Sequence, residues 1–135
     1  MRYVLDTNVI SALMKGDPTV VEHLKGLARG DVVMPQPVIA EIEYGIQRLA
    51  RSKRRDALAS RFELLKSELG RAVWSDDVSA GFGRVKAALE RRGERIEDFD
   101  AAVAAHAMAD DHILVTSNVK HLARVPGLEI EDWST

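Results

Sequence analysis

The chain has 135 residues, 46% of them hydrophobic and 30% charged, which is the composition of a folded domain and excludes a disordered tail. That length is one domain's worth, spanning 1–135, with roughly two-thirds of the unfolded surface available for burial. With no cysteine, the sequence excludes disulfide staples, thiolate zinc, iron–sulfur clusters and a Cys nucleophile, and a net charge of −2 excludes a molecule-wide polycation.

Arg2–Asp6 opens as a short β-prone segment, and the chain turns helical through Val9–Met14. Asp17 is placed to cap a helix with Pro18 at its first position, running to Ala28. Asp31–Met34 reads as a second strand, closed by Pro35, and Pro37 opens a helix to about Leu49. Residues 53–68 and 76–92 read as two further helices, separated by Gly70 and Trp74-Ser75. Asp98 is expected to cap an Ala-rich helix through Met108, followed by a strand over His112–Thr116 and a last one over Leu128–Glu131.

Strands separated by helices of ten or more residues imply parallel β-α-β units, hence a three-layer α/β/α domain around a mostly parallel sheet. In such sheets function gathers at the carboxyl ends of the strands. No apolar run approaches the ~20 residues that span a bilayer, and Asp6 interrupts the first apolar segment before a leader could form. The expected location is the cytoplasm.

The near-neutral total conceals a split. Arg48–Arg71 holds eight bases against three acids, net +5, whereas Glu97–Thr135 holds eight acids against two bases, net −6. Each half fits a solvated face, and together they fit a polyanion steered by one half and processed at the other.

Three carboxylates fall at informative places. Asp6 follows the first strand directly, either as a helix cap or as a site residue. Glu41 lies beside the stripe formed by Val38, Ile42, Gly45, Ile46 and Leu49. There it either reaches solvent or must be paired, neutralised or metal-bound. Asp100 begins the packing face of the Ala-rich helix, where the helix dipole alone would also favour it. Leu114–Thr116 runs into Ser117-Asn118, another strand end rich in polar oxygens. If these groups converge, the carboxylates repel and call for a cation. An all-oxygen set without Cys or clustered His suits Mg²⁺ or Mn²⁺ and metal-assisted attack on a phosphodiester.

The segments Tyr3–Ile10, Ile39–Gly45, Asp100–Ala107, Leu114–Asn118 and Val125–Trp133, in that order over the whole chain, resemble the PIN-domain ribonucleases and, within them, the VapC toxins of bacterial toxin–antitoxin pairs. The resemblance implies that Asp6, Glu41 and Asp100 bind Mg²⁺, with Mn²⁺ as substitute. Asn118 stands where the family often has a further Asp, leaving one charge fewer. Thr7, Asn8 and Ser117 would support these ligands. The implied activity is an endoribonuclease acting on structured RNA such as tRNA or rRNA. Water rather than the ribose 2′-hydroxyl would attack, giving 5′-phosphate and 3′-hydroxyl ends, with Glu41 as ligand or proton acceptor. The implied partners are a VapB-like antitoxin that places a basic or aromatic residue in the acidic site, a second copy in a homodimer, and promoter DNA reached only through the antitoxin.

Several residues carry weaker expectations. Arg54 and Arg55, within the basic segment, are assigned to RNA phosphate. His23, His106, His112 and His121 are assigned structural roles, and Phe82, Phe99, Trp74 and Trp133 packing. Tyr44 is assigned packing ahead of base stacking. Residues 76–92 and the exposed part of the Pro37–Leu49 helix are expected to supply an apolar interface. Two rival readings remain. A phosphotransfer or receiver domain is disfavoured because Asp6 stands alone, with Asn8 where a second Asp is wanted. A PIN fold reduced to an RNA- or protein-binding module is the alternative that Asn118 keeps open.

Overall fold

The computed structural model describes residues 2–135. Its elements are β1 (Tyr3–Leu5), α1 (Thr7–Met14), α2 (Pro18–Lys25), a 3-10 turn (Arg29–Asp31), β2 (Val32–Pro35), α3 (Gln36–Gln47), α4 (Lys53–Glu68), β3 (Gly70–Ala72), α5 (Asp76–Arg91), α6 (Asp98–Ala109), β4 (Ile113–Val115), α7 (Val119–Leu122) and β5 (Ile130–Glu131).

The five strands form one sheet in the order β3-β2-β1-β4-β5, and every pairing is parallel. Tyr3 pairs with Val32 on one side and Ile113 on the other, and Leu5 with Val115. Neighbouring residues of β1 (Val4, Leu5) and all of β4 are buried, so helices cover both faces, the expected condition for an all-parallel sheet. The strand order reverses at β1, whose neighbours are β2 and β4. Right-handed crossovers then send the helices before and after the reversal to opposite faces. The loops leaving β1 and β4 part at their carboxyl ends and open a crevice, the position where such sheets carry function.

The helix closest to that crevice is built from small residues. Ala101 to Ala107 of α6, including Val103 and His106, are all buried. A helix with alanine on every side can lie close to β1 and β4 on one face and to α5 on another. The apolar stripe of α5, Val78, Gly81, Val85 and Leu89, packs largely against α6, while Gly81, Val85 and Ala88 also line a groove of about 250 Å³ with Ala105, Met108 and Pro126. Among the described residues no helix is long and apolar enough to cross a membrane.

Several boundaries differ from the sequence expectation. Pro35 is the N-cap of α3, which begins at Gln36 with Pro37 inside the first turn. Asp98 does not cap α6. Glu97 takes the capping position without a side-chain bond, and Asp98 is the first helical residue, ion-paired to Lys86 at 3.1 Å. The second helix stops at Lys25, and β3 and α7 were not anticipated. Gly70-Arg71-Ala72 sits at an exposed sheet edge and lacks the apolar alternation that marks a half-buried strand.

Candidate active site

Asp6 is the residue at which β1 becomes α1. It caps α1, its Oδ1 accepting from the Thr7 amide at 2.8 Å, so the capping reading of the sequence is correct. The same carboxylate is 3% exposed and serves the crevice as well. Its Oδ2 accepts from the Thr116 hydroxyl at 2.8 Å and from the Asn8 amide at 3.3 Å. Burial pushes the Asp6 carboxyl above its usual range, and these three donors pull it back. A buried carboxylate with no cationic side chain bonded to it is costly to the free protein.

Thr116 was not singled out from the sequence, yet it organises this end of the sheet. Fully buried just after β4, it donates to Asp6 while accepting from the Asn118 amide at 3.0 Å and the Asn8 side chain at 3.3 Å. Asn8 in turn accepts from the Ser117 backbone at 3.0 Å. Ser117 therefore contributes its amide rather than its hydroxyl. The network ties the loop after β1 to the loop after β4 across the parting point.

The crevice is a cleft of about 740 Å³. Asp6, Thr7, Asn8, Glu41, Asp100 and Asn118 line it, so six of the seven residues expected at the site or behind it meet in one place. Asn118 donates through its amide nitrogen to Asp100 at 3.3 Å, leaving its carbonyl oxygen free. The Asp100 carboxyl is pushed above its usual range, first by burial and then by the negative charges of Asp6 and Glu97. His121 opposes this, and Glu41 adds to it. Glu41 itself is exposed on α3, the solvent-reaching one of the two alternatives that its place beside the stripe allowed. The Thr7 hydroxyl, by contrast, is buried with no hydrogen-bond partner.

The wall beyond Asp100 is basic. Arg95, His121 and Arg124 line it, and Arg124 donates to the Arg95 carbonyl at 2.9 Å, fixing the segment that leads into α6. Arg95 and Arg124 gave no sequence signal, because they lie in two separate loops, whereas His121, expected to be structural, lines the cleft from α7. Arg54 and Arg55 do not line the cleft. Arg54 is exposed on α4, and Arg55 donates to Gln47 at 2.9 Å. Within the same basic segment Arg61 donates to the Met14 carbonyl at the end of α1, and Lys66 pairs with Glu43 and Glu63.

Two aromatic assignments also change. Tyr44 is 65% exposed with Arg48 over its ring, and is not a packing residue. Trp74 is 45% exposed, although it packs against Phe82 and edge-on against the buried His106. Burial holds His106 below the usual imidazole range, consistent with a structural role.

Among the described residues no three acidic or imidazole groups stand close enough to form a ready-made metal cage, so the acids share a cleft rather than a coordination sphere. The donor chemistry nonetheless suits a hard divalent cation: carboxylate, amide and hydroxyl oxygens only, one carboxylate buried, and an unpartnered hydroxyl at Thr7.

Comparison with known proteins gives a consistent picture. Residues 3–128 match the PIN domain family. Ribonuclease VapC2 of Rickettsia felis is 31% identical over 135 residues, covering 98% of each chain. The tRNA(fMet)-specific endonuclease VapC of Shigella flexneri is 28% identical over 138 residues, covering 99% of each. Among solved structures, VapBC2 from Rickettsia felis bound to a promoter DNA fragment superposes with a TM-score of 0.89 at 29% identity, covering 99% of this chain and 100% of that one. VapBC-1 from nontypeable Haemophilus influenzae superposes with a TM-score of 0.86 at 28% identity, covering 100% of both.

Proposed function

The chain belongs to the PIN-domain family, among the VapC ribonucleases, and on that premise we propose that it is a divalent-metal-dependent endoribonuclease, the toxin of a type II toxin–antitoxin pair. The observation that carries the proposal is the meeting of Asp6, Glu41, Asp100 and Asn118, from four separate segments, in one cleft at the parting point of the sheet. These four would hold Mg²⁺ or Mn²⁺. Such a cation neutralises phosphate charge and acidifies water for attack on the phosphodiester.

The chain's own groups then have distinct tasks. Thr7, Asn8 and Thr116 hold Asp6 in one orientation through three hydrogen bonds, so no reorientation is needed when substrate arrives. Asn118 fixes Asp100 from one side and keeps its carbonyl oxygen available as a neutral ligand. Glu41, exposed on α3 at the cleft, would accept the proton released by the attacking water. Arg95 and Arg124 meet the phosphates that approach over the acidic floor.

The substrate we propose is structured RNA, with tRNA the leading class, because a relative 28% identical over its full length is named a tRNA(fMet)-specific endonuclease. The partner we propose is a VapB-like antitoxin, as in the VapBC complexes of Rickettsia felis and Haemophilus influenzae. Its cationic side chain in the acidic cleft would compete with the metal, and promoter DNA would be reached through it. By the same likeness to VapC toxins, the chain would act as a homodimer in the cytoplasm.

Titration calorimetry with Mn²⁺ tests the metal assignment. The wild-type chain should bind it, and Asp6→Asn and Asp100→Asn should each weaken binding by tenfold or more. Equal affinity in all three would remove these residues as ligands.

A further inference from the structure

A second groove, of about 410 Å³, opens directly beside the acid cleft and shares Thr7 and Glu41 with it. It lies in the size range of small-ligand sites, roughly 300–1,000 Å³. Met14 of α1 and Ile42 and Ile46 of α3 form its buried apolar floor. Tyr44 and Arg48 stand at its mouth on one side and Lys15 on the other.

Three observations say what enters it. First, Tyr44 is exposed although it is large and aromatic, and the Arg48 guanidinium lies over its ring at 5.9 Å from the centroid. Second, Gly45 occupies the interior of α3, where glycine is unfavourable, and a Cβ there would meet nothing within 4 Å. The fold does not need this glycine for close packing, so the space it leaves is room in the groove. Third, among the described residues Lys15 and Arg48 have no ion pair, and Glu41 is the only acid lining the groove. A polyanion is thus favoured at the mouth, while the floor is apolar. A strand of nucleic acid, with charged backbone and flat apolar bases, has that combination.

We propose that this groove takes the base next to the scissile phosphate, stacked on the exposed Tyr44 ring beside Gly45, with Lys15 and Arg48 on the flanking phosphates. The proposal rests on the reading of the acid cleft as the cutting site. Glu41 and Tyr44 are three residues apart on α3, so their side chains emerge about 5–6 Å from each other at Cβ. A strand whose phosphate lies against Glu41 therefore brings its adjacent base to the Tyr44 ring. This geometry requires the base to be unpaired, and so directs cutting to loops and single-stranded stretches of a structured RNA.

The test uses the full chain and a random-sequence RNA pool, with the cut ends sequenced. Wild type should show a base preference at the nucleotide beside the cut. Tyr44→Ala should lower kcat/KM by roughly tenfold, mostly through KM, and flatten that preference, because one stacked base is lost. Tyr44→Phe should keep both, and Gly45→Leu should reproduce the loss by filling the groove, with thermal melting confirming that each variant is folded. A second measurement does not depend on turnover. An Asp6→Asn protein binding RNA substituted with 2-aminopurine should quench its fluorescence, and adding Tyr44→Ala should abolish the quench. Unchanged KM and unchanged preference in Tyr44→Ala would overturn the proposal while leaving the cutting site intact. So would a Tyr44→Ala defect confined to antitoxin affinity, which would give the groove to protein. If wild type cuts no RNA with Mg²⁺ or Mn²⁺, the acid-cleft reading falls, and the quench alone decides the groove.

Discussion

Replacing Thr116 by Val keeps the shape of a fully buried side chain and removes one hydroxyl, so its effect can be worked from the structure. The hydroxyl donates to the Asp6 carboxylate at 2.8 Å and accepts from the Asn118 amide at 3.0 Å. A hydrogen bond to a charged group contributes about 1.5–3 kcal/mol, and the orphaned Asn118 amide adds to the loss. We expect a destabilisation of about 2–3 kcal/mol at neutral pH, a drop in melting temperature of roughly 6–10 °C for a chain of this size. The sign with pH is fixed by the carboxylate. The Thr116 bond lowers the Asp6 pKa, so the stability it contributes is present when Asp6 is ionised and is lost as pH falls through the folded pKa. That pKa is itself raised by burial, so the loss begins above the ordinary value of 3.8. Urea unfolding of wild type and Thr116→Val, at neutral pH and near 3.8, is the assay. Thr116→Ser, which keeps the hydroxyl, should recover most of the difference at neutral pH. A Thr116→Val protein as stable as wild type at neutral pH, or equally destabilised at both, would refute the reasoning.

Asp6→Asn, Glu41→Gln and Asp100→Asn should each abolish metal-dependent RNA cleavage while the chain stays folded. Asp98→Asn, which touches only the exposed Lys86 pair, should leave cleavage unchanged and cost at most about 1 kcal/mol by chemical denaturation. In metal-free solution the raised carboxyls of Asp6 and Asp100 should make their share of stability grow as pH falls through their folded pKa values toward 3.8, and the Asp6→Asn, Asp100→Asn double variant should lose that growth in a melting series. Gly45→Ala should raise stability by about 0.5–1 kcal/mol, since the added Cβ meets nothing and helix propensity improves. Arg54→Ala should reduce the slope of log affinity for RNA against log salt by about 0.7 if it contacts one phosphate, and an unchanged slope would return Arg54 to the solvated face of α4.

Much of the architecture was legible because the sequence punctuates it strongly. The apolar run before Asp6, the Pro35–Pro37 break and the all-apolar Ile113–Val115 each fix a strand end, and parallel connectivity follows from the helices between them. The site was legible for the same reason: Asp6 and Asn118 follow strand ends and Asp100 sits in the first turn of α6, while Glu41, in the second turn of α3, shows as a carboxylate beside an apolar stripe. What escaped lacks a periodic or compositional signal. The edge strand β3 is held by pairing to β2 rather than by burial, and α7 has four residues, too few for a period. Thr116 reads as an ordinary strand residue until the parallel pairing of β1 with β4 places it beside Asp6, 110 positions away in sequence. Tyr44 and Glu41 illustrate the limit of the helical wheel. Both lie near the apolar stripe of α3, but α1 and α4 cover only part of it, which leaves these two side chains in the open groove and cleft.

The central claim, that Asp6, Glu41, Asp100 and Asn118 form a metal-dependent RNA-cutting site, is tested most directly by incubating the purified chain with tRNA in chelator, Mg²⁺ or Mn²⁺ and mapping the ends. Cleavage should occur only with metal, leave 5′-phosphate and 3′-hydroxyl ends, and vanish in Asp100→Asn. Cleavage that persists in chelator, or that survives in Asp100→Asn, would contradict it.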